Sequence, residues 1–397
     1  MDKPAICGGT PIRRDKIFYG HQYIDEADIQ AVVEVLKSDY LTCGPKIQEL
    51  ERRLCEVTGA AYAVVCSNGT AALHLACLAA GVGEGDEVIT TPITFAASAN
   101  CALYCGATPI FADINDETYN IDPACAEALI TERTKAVVAV DYTGQSAELD
   151  ALMEHCRKNH LVLIEDGAHV IGTSYKGRKN GSIADMTTLS FHPVKTVTGG
   201  EGGAVLTNSE EYYRKLLLYR SHGITRDTDL MENEPDGPWY YEQIALGMNY
   251  RITDIQAALI ISQLDKLPLF SSRRKEIVKA YDEAFRKLPQ LFVQREIPES
   301  DTTRHLYILR MVPEKLTINR KQMYEALLAE NICCNVHYIP TYYFPYYKRL
   351  GYRRGLCPKA EKLYEEILSL PLYYAMTDQD VQDVIQAVTR IVTYYAK

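Results

Sequence analysis

Nowhere in the chain do eighteen apolar residues run together, so no segment has the length and character of a membrane-spanning helix. The opening stretch MDKPAICGGTPIRRDK also lacks the apolar core of a secretory signal, and a cytoplasmic protein is expected. Paired CxxC spacing is missing. The twelve cysteines are scattered from Cys7 to Cys357, and the nearest neighbours, Cys333-Cys334 and Cys101-x3-Cys105, do not have zinc-site spacing. In a reducing compartment such cysteines act as small buried hydrophobes, so neither a metal nor thiol chemistry is assigned to them. An excess of positive charge is absent too. Lys and Arg total 42 against 52 Asp and Glu, a net charge of -10 with both signs interspersed, which argues against nucleic acid or an anionic membrane as the main partner.

What the chain does have is length and apolar content. Its 397 residues, 47% of them apolar, suffice for two domains with full cores. From about residue 60 to 210, short apolar runs (AYAVVCS, DEVITTP, TPIFADI, AVVAVDY, LVLIEDG, TTLSFH, GAVLTN) alternate with amphipathic stretches such as TAALHLACLAAG and CAEALITER. That alternation predicts an α/β domain with a mostly parallel sheet flanked by helices. Beyond residue 252, ITDIQAALIISQLDKL and the serine-capped SSRRKEIVKAYDEAFRKL read as long helices. LYILRMV and CCNVHYI then read as strands, and RKQMYEALLAE, CPKAEKLYEEILSL and TDQDVQDVIQAVTRIV as helices. A boundary near residue 265 is expected, dividing a large domain, 1–265, with an N-terminal helical segment, from a smaller C-terminal α/β domain, 266–397.

The strongest chemical signal is SFHPVKTVTGGEGGAVLTN, residues 190–208, where Lys195 lies between two strand-like runs beside a loop with four glycines. Glycine lets backbone approach a ligand closely. No GxxxxGK occurs, which removes the phosphate-loop reading of this lysine. An amine fixed at a strand end can form a Schiff base with a carbonyl, pyridoxal phosphate being the commonest such partner; the plain alternative is a solvated surface charge. In LVLIEDGAH a buried-strand run ends in two carboxylates and a histidine, at the strand end where open α/β sheets bind ligands. Asp166 is placed to keep a pyridine nitrogen protonated, although the pair could equally cap a helix or ligate a metal. CSNGTAALHLA runs from a strand through Asn68-Gly69-Thr70 into a helix, either a phosphate site or an ordinary N-cap. Phe95, in TTPITFAASAN, follows a strand and could stack on a flat ring or belong to the core.

With these residues in hand, the chain resembles the fold-type I sugar aminotransferases of the DegT and StrS family over nearly its whole length. The resemblance implies a fold-type I pyridoxal-phosphate-dependent transferase in which Lys195, in SF-x3-K, holds the cofactor and Ser190 helps bind its phosphate. By the same likeness Gly69 and Thr70 form the other phosphate segment, Asp166 pairs with the ring nitrogen, His169 lies near it, and Phe95 covers the ring. Gly167 departs from the Ala, Ser or Cys usual in the family. LGMNYRITDIQAALIISQL is similar to the stretch whose asparagine, here Asn249, reaches the phosphate from a neighbouring subunit, which implies a homodimer with shared active sites. Finer likeness, in KSDYLTCGPKIQELE, VDYTGQSAELD, ICCNVHYIPTYYFPYYKRLGY and LSLPLYYAM, points to the branch that serves pseudaminic acid biosynthesis. That branch implies transfer from L-glutamate to the 4-keto group of UDP-2-acetamido-2,6-dideoxy-β-L-arabino-hex-4-ulose, the cofactor cycling through pyridoxamine phosphate. His337 is a candidate substrate contact. Tyr338, Tyr342, Tyr343, Tyr346 and Tyr347 either line the sugar entrance or form a packed interface with wet hydroxyls. Rival readings are an aminotransferase for a 3-keto sugar or another carrier, a sugar dehydratase, in which histidine commonly replaces the lysine, and a non-catalytic sensor.

Overall fold

Each of the seven apolar runs between residues 61 and 208 folds as a strand in the computed structural model, which describes residues 3–397. The strands are β1 (Tyr62–Cys66), β2 (Glu87–Thr90), β3 (Thr108–Phe111), β4 (Thr134–Val140), β5 (Val162–Asp166), β6 (Met186–Ser190) and β7 (Gly203–Thr207). They form one sheet in the order β1-β7-β6-β5-β4-β2-β3, in which only β7 runs antiparallel to its neighbours. Side chains alternate between the faces of a strand, so a sheet covered on both sides needs apolar residues at nearly every position.

The covering helices are α1 (Glu26–Leu36), α2 (Pro45–Thr58), α3 (Gly69–Ala79), α4 (Ala97–Tyr104), α5 (Leu149–Lys158), α6 (Glu210–Arg220) and α7 (Asp254–Asp265). Val64, Val138 and Ile164 pack beneath α3 and α4 on one face. On the other, Val65 and Leu189 meet Leu54 and Ile260 of α2 and α7, while Leu163 meets Leu152 of α5. Each such side chain, fully buried, contributes roughly 1.5–3 kcal/mol.

After α7 the chain turns at Lys266 into α8 (Leu267–Phe285) and a three-stranded antiparallel sheet of β8 (Leu291–Val293), β9 (Tyr307–Met311) and β10 (Ile367–Leu370). Helices α9 (Arg320–Ala329), α10 (Pro358–Glu366) and α11 (Asp378–Tyr394) complete this unit, whose core includes Tyr281, Phe285, Leu309, Met323 and Val388. The short strand Ile17–Phe18 pairs with Ile332–Cys333, and Ile17 is buried in that same core. We propose the division between the two units at Lys266, with the N-terminal strand counted with the smaller one rather than with residues 20–265.

Four local readings change. CAEALITER yields only the short helix Pro123–Glu127. Helix α8 begins at Leu267 with Pro268 in its first turn, where a missing amide hydrogen costs nothing, so Ser271 and Ser272 lie inside it rather than capping it. The ILSL that ends CPKAEKLYEEILSL leaves the helix and pairs with β9, all four residues being buried. Only Ile332–Cys333 of the CCNVHYI region is a strand, and the residues after it run along a cavity wall. Among the described residues no helix is long and apolar enough to cross a membrane.

Candidate active site

Strand register brings the first parts together. Gly203, at the start of β7, lies opposite both Cys66 at the end of β1 and Ser190 at the end of β6. A Cβ on Gly203 would sit 2.3 Å from the Asn68 carbonyl oxygen, and one on Gly69 would sit 2.8 Å from Ser190 Cβ. Glycine at both positions therefore lets the start of α3 close on the sheet. Asn68 caps that helix, its Oδ1 accepting from the Ala71 amide at 2.8 Å. The preceding first-turn amides, the positive end of the helix and the Ser190 hydroxyl make a pocket suited to a phosphate.

A cavity of about 880 Å³ opens at this end of the sheet. Of the residues read from the sequence, Gly69, Thr70, Phe95, Asp166, His169, Ser190, Lys195 and His337 all line it. Asn249 does not; it is exposed on its own chain, next to Tyr250, which does reach the cavity.

Asp166 ends β5 and is buried. It accepts from the Ser98 hydroxyl at 2.5 Å and from the Ala168 amide at 3.2 Å. Burial still pushes its carboxyl up, against those donors and the Lys195 charge. Glu165 points the other way, into a buried network with Asn180 and Thr187, so only one of the two carboxylates faces the cavity. Among the described residues no group of His, Cys, Asp and Glu is placed to hold a metal ion.

Lys195 sits in the turn after β6, its amide bonded to the His192 carbonyl at 2.9 Å. Enclosure by protein pushes its amine down to about 8, the charge of Asp166 opposing that shift. Phe95 is 64% exposed, which sets it apart from core phenylalanines, and its ring lies 6.5 Å from that of Tyr338. The His169 ring is buried with Nδ1 unpartnered. His337 is held by Ser369 Oγ at 2.7 Å from Nδ1, and burial pushes it down to about 4.

Gly167 has no room for a side chain: a Cβ would lie 2.9 Å from both Thr187 Cγ2 and Val170 Cγ2. Those two residues occupy the space that an alanine or serine would need. Of Tyr338, Tyr342, Tyr343, Tyr346 and Tyr347, only Tyr338 lines the cavity. Tyr342 and Tyr347 are fully buried, their hydroxyls bonded to Glu361 and Asn100 at 2.7 Å each rather than wet. Ser98 was not singled out from sequence as a site residue, whereas Tyr338 was one of the five tyrosines offered for either the sugar entrance or a packed interface. Ser98 is a lone serine in a run of small residues, and only its placement on α4 opposite Asp166 gives it meaning.

These features fit pyridoxal phosphate: an anion pocket at one end, a buried carboxylate for a protonated ring nitrogen at the other, and an amine of depressed basicity in the same cavity. Comparison with known proteins leads the same way. Residues 22–389 match the DegT/DnrJ/EryC1/StrS aminotransferase family. The chain is 42% identical to the spore coat polysaccharide biosynthesis protein SpsC of Bacillus subtilis, covering 94% of this chain and 96% of that one. It is 40% identical to the UDP-4-amino-4,6-dideoxy-N-acetyl-β-L-altrosamine transaminase of Campylobacter jejuni, over 92% and 95% of the two chains. The PLP form of Spr1654 from Streptococcus pneumoniae superposes with a TM-score of 0.89 at 33% identity, covering 96% of this chain and 99% of that one.

Proposed function

The chain belongs to the DegT/DnrJ/EryC1/StrS family and is a pyridoxal-phosphate-dependent aminotransferase of the nucleotide-sugar type, and from that premise we propose that it moves the amino group of L-glutamate onto C4 of UDP-2-acetamido-2,6-dideoxy-β-L-arabino-hex-4-ulose. The product would be the UDP-4-amino-4,6-dideoxy sugar for which the Campylobacter relative is named. The observation that carries the reading is the meeting of Lys195 and Asp166, from the ends of two adjacent strands, in one cavity.

In this reading Ser190 and the first turn of α3, Gly69 and Thr70 included, grip the cofactor phosphate, and Phe95 covers the ring. Asp166, fixed by Ser98, holds the proton on the ring nitrogen. Bound pyridoxal phosphate supplies the electron sink that stabilises a carbanion at the donor carbon. Lys195 would hold the cofactor through its Nζ, and that amine, once displaced by the donor, would act as base and then acid in each half-reaction, removing the proton at the donor α-carbon in the first and delivering one to the sugar C4 in the second. Its amine, near 8, is close enough to neutrality to serve in both directions, a contribution of about 10² to 10⁴ in rate. His337, neutral and held by Ser369, lines the same cavity and would contact the sugar there. Asn249, exposed beside the cavity rim, would reach the phosphate of a second copy, which makes the working unit a homodimer.

The test is to incubate the holoprotein with UDP-linked 4-keto sugars and glutamate and to identify the product by NMR. Amination at C4 of the arabino-configured hexulose supports the reading. Amination only of a 3-keto sugar, or only of sugars on another carrier, would replace it; the comparable identity to the spore coat protein makes that comparison necessary.

A further inference from the structure

We infer that His305 is a positioning residue of this site, fixing the orientation of the His169 ring that lines the cavity; the inference rests on reading that cavity as the cofactor site. His305 belongs to the smaller unit, just before β9, and its ring lies against that of His169 with centroids 4.4 Å apart and planes tilted by 36°. Both residues are buried, at 6% and 5% exposure for His169 and His305, and neither ring is hydrogen-bonded to a carboxylate.

The backbone beneath the two rings leaves little freedom. The His305 amide donates to the Thr143 carbonyl at 2.7 Å, and its carbonyl accepts from Arg274 Nη1 at 3.2 Å. That buried guanidinium also reaches the Leu372 carbonyl at 3.1 Å. At Gly144 (φ +92°) three segments touch, since a Cβ there would lie 2.8 Å from both the His169 carbonyl oxygen and the His305 amide nitrogen. The carrier of the second ring is thus anchored, and the segments approach as closely as a glycine allows.

The His169 ring itself has few holds of its own. Its Nε2 lies 3.4 Å from the Tyr338 hydroxyl, a long contact, and its Nδ1 has no partner. Burial and the nearby charge of Lys195 keep it far below the usual histidine range, so it is neutral, with one donor and one acceptor nitrogen. A neutral imidazole without firm hydrogen bonds can flip and exchange those two. Two rings remain to hold its plane: Tyr338, nearly parallel but 6.4 Å away, and His305, which is much the nearer at 4.4 Å.

The experiment compares the wild type with His305→Leu, which fills the space without a flat ring, and His305→Phe, which keeps one. Apoprotein labelled with ¹⁵N-histidine gives the His169 ring signals, assigned by their loss in His169→Asn, and pyridoxal phosphate titration gives the dissociation constant. We expect one sharp set of His169 signals in wild type and His305→Phe, and broadened or doubled signals with roughly 10-fold weaker cofactor binding in His305→Leu. Should the leucine variant not fold, His305→Gln supplies the non-aromatic comparison. Sharp signals and unchanged affinity without the ring, or a phenylalanine variant that folds yet behaves like the leucine one, would overturn the assignment. The ring signals need neither cofactor nor substrate, so they can fail while the proposed reaction stands, and the reverse.

Discussion

Ser98 holds Asp166: its hydroxyl lies 2.5 Å from Oδ2 while its own oxygen is 2.6 Å from the Thr94 hydroxyl, so a short chain of hydroxyls on the α4 side orients the carboxylate that faces the cavity. Burial raises the Asp166 carboxyl and this donor lowers it, which makes the hydroxyl a control on when the site is charged. Removing it in Ser98→Ala should raise the carboxyl further. Cofactor binding that depends on the ionised form would then be lost at a higher pH than in wild type as the medium is acidified. A hydrogen bond to a charged group is worth about 1.5–3 kcal/mol, so on the acid side the dissociation constant should worsen roughly 10- to 100-fold and recover toward alkaline pH. Superimposable titrations against pH would show that Ser98 does not tune Asp166.

Gly69→Ala should fold but bind cofactor poorly. Its new Cβ would lie 2.8 Å from Ser190 Cβ, closer than such carbons approach, and relief must come from moving the start of α3 or β6 apart. Either movement widens the phosphate pocket. A loss of about 10-fold or more in affinity for pyridoxal phosphate, with a smaller effect on pyridoxal lacking the phosphate, is expected from equilibrium titration; equal losses for both would place the damage elsewhere.

Reconstitution of apoprotein should depend on the free amine of Lys195. Enclosure lowers that amine to about 8, so the rate of covalent cofactor attachment should climb as pH rises through about 8 and level off above it. Stopped-flow absorbance follows the attachment directly. A rate still climbing steeply toward the ordinary lysine range, about 10.4, would mean that the amine is not held low.

Asp141 offers a stability test away from the chemistry. It is fully buried beside Glu165, and burial followed by that neighbouring carboxylate push its carboxyl well up. A group raised in the folded state contributes stability below its unfolded value, near 3.9, and loses it as pH rises through the folded one. Asp141→Asn mimics the protonated acid, can still accept from the Ala147 amide and removes the repulsion. Its melting temperature should exceed that of wild type at pH 8, with the gap closing toward acid pH. A variant less stable at every pH would show the carboxylate to be a favourable member of the network with Asn180.

The sheet was legible because it is covered on both faces, so each strand is a short apolar run bounded by polar turns, and all seven could be read with small errors at the ends. Asp166 and Lys195 were legible for a related reason: one ends such a run and the other follows one in a glycine-rich loop, where a charged side chain has no packing purpose. Legibility fell where a residue's place depends on another part of the fold. Ser98 has no neighbour in sequence that hints at Asp166, and His305 meets His169 only because the two units dock. The CCNVHYI region alternates like a strand, yet after Cys333 it lines the cavity, with Asn335 bridged to Ser369. Tyr342 and Tyr347 showed aromatic density but not that their hydroxyls would find Glu361 and Asn100.

The central claim is that the amine at Lys195 is the one that carries the cofactor. Borohydride treatment of the holoprotein, followed by proteolysis and mass spectrometry, reads that attachment directly. The account predicts a pyridoxyl group on the peptide containing His192 to Glu201, at Lys195, and none in Lys195→Ala treated alike. Label on any other lysine of the wild type, or label persisting at full yield in the alanine variant, would contradict it.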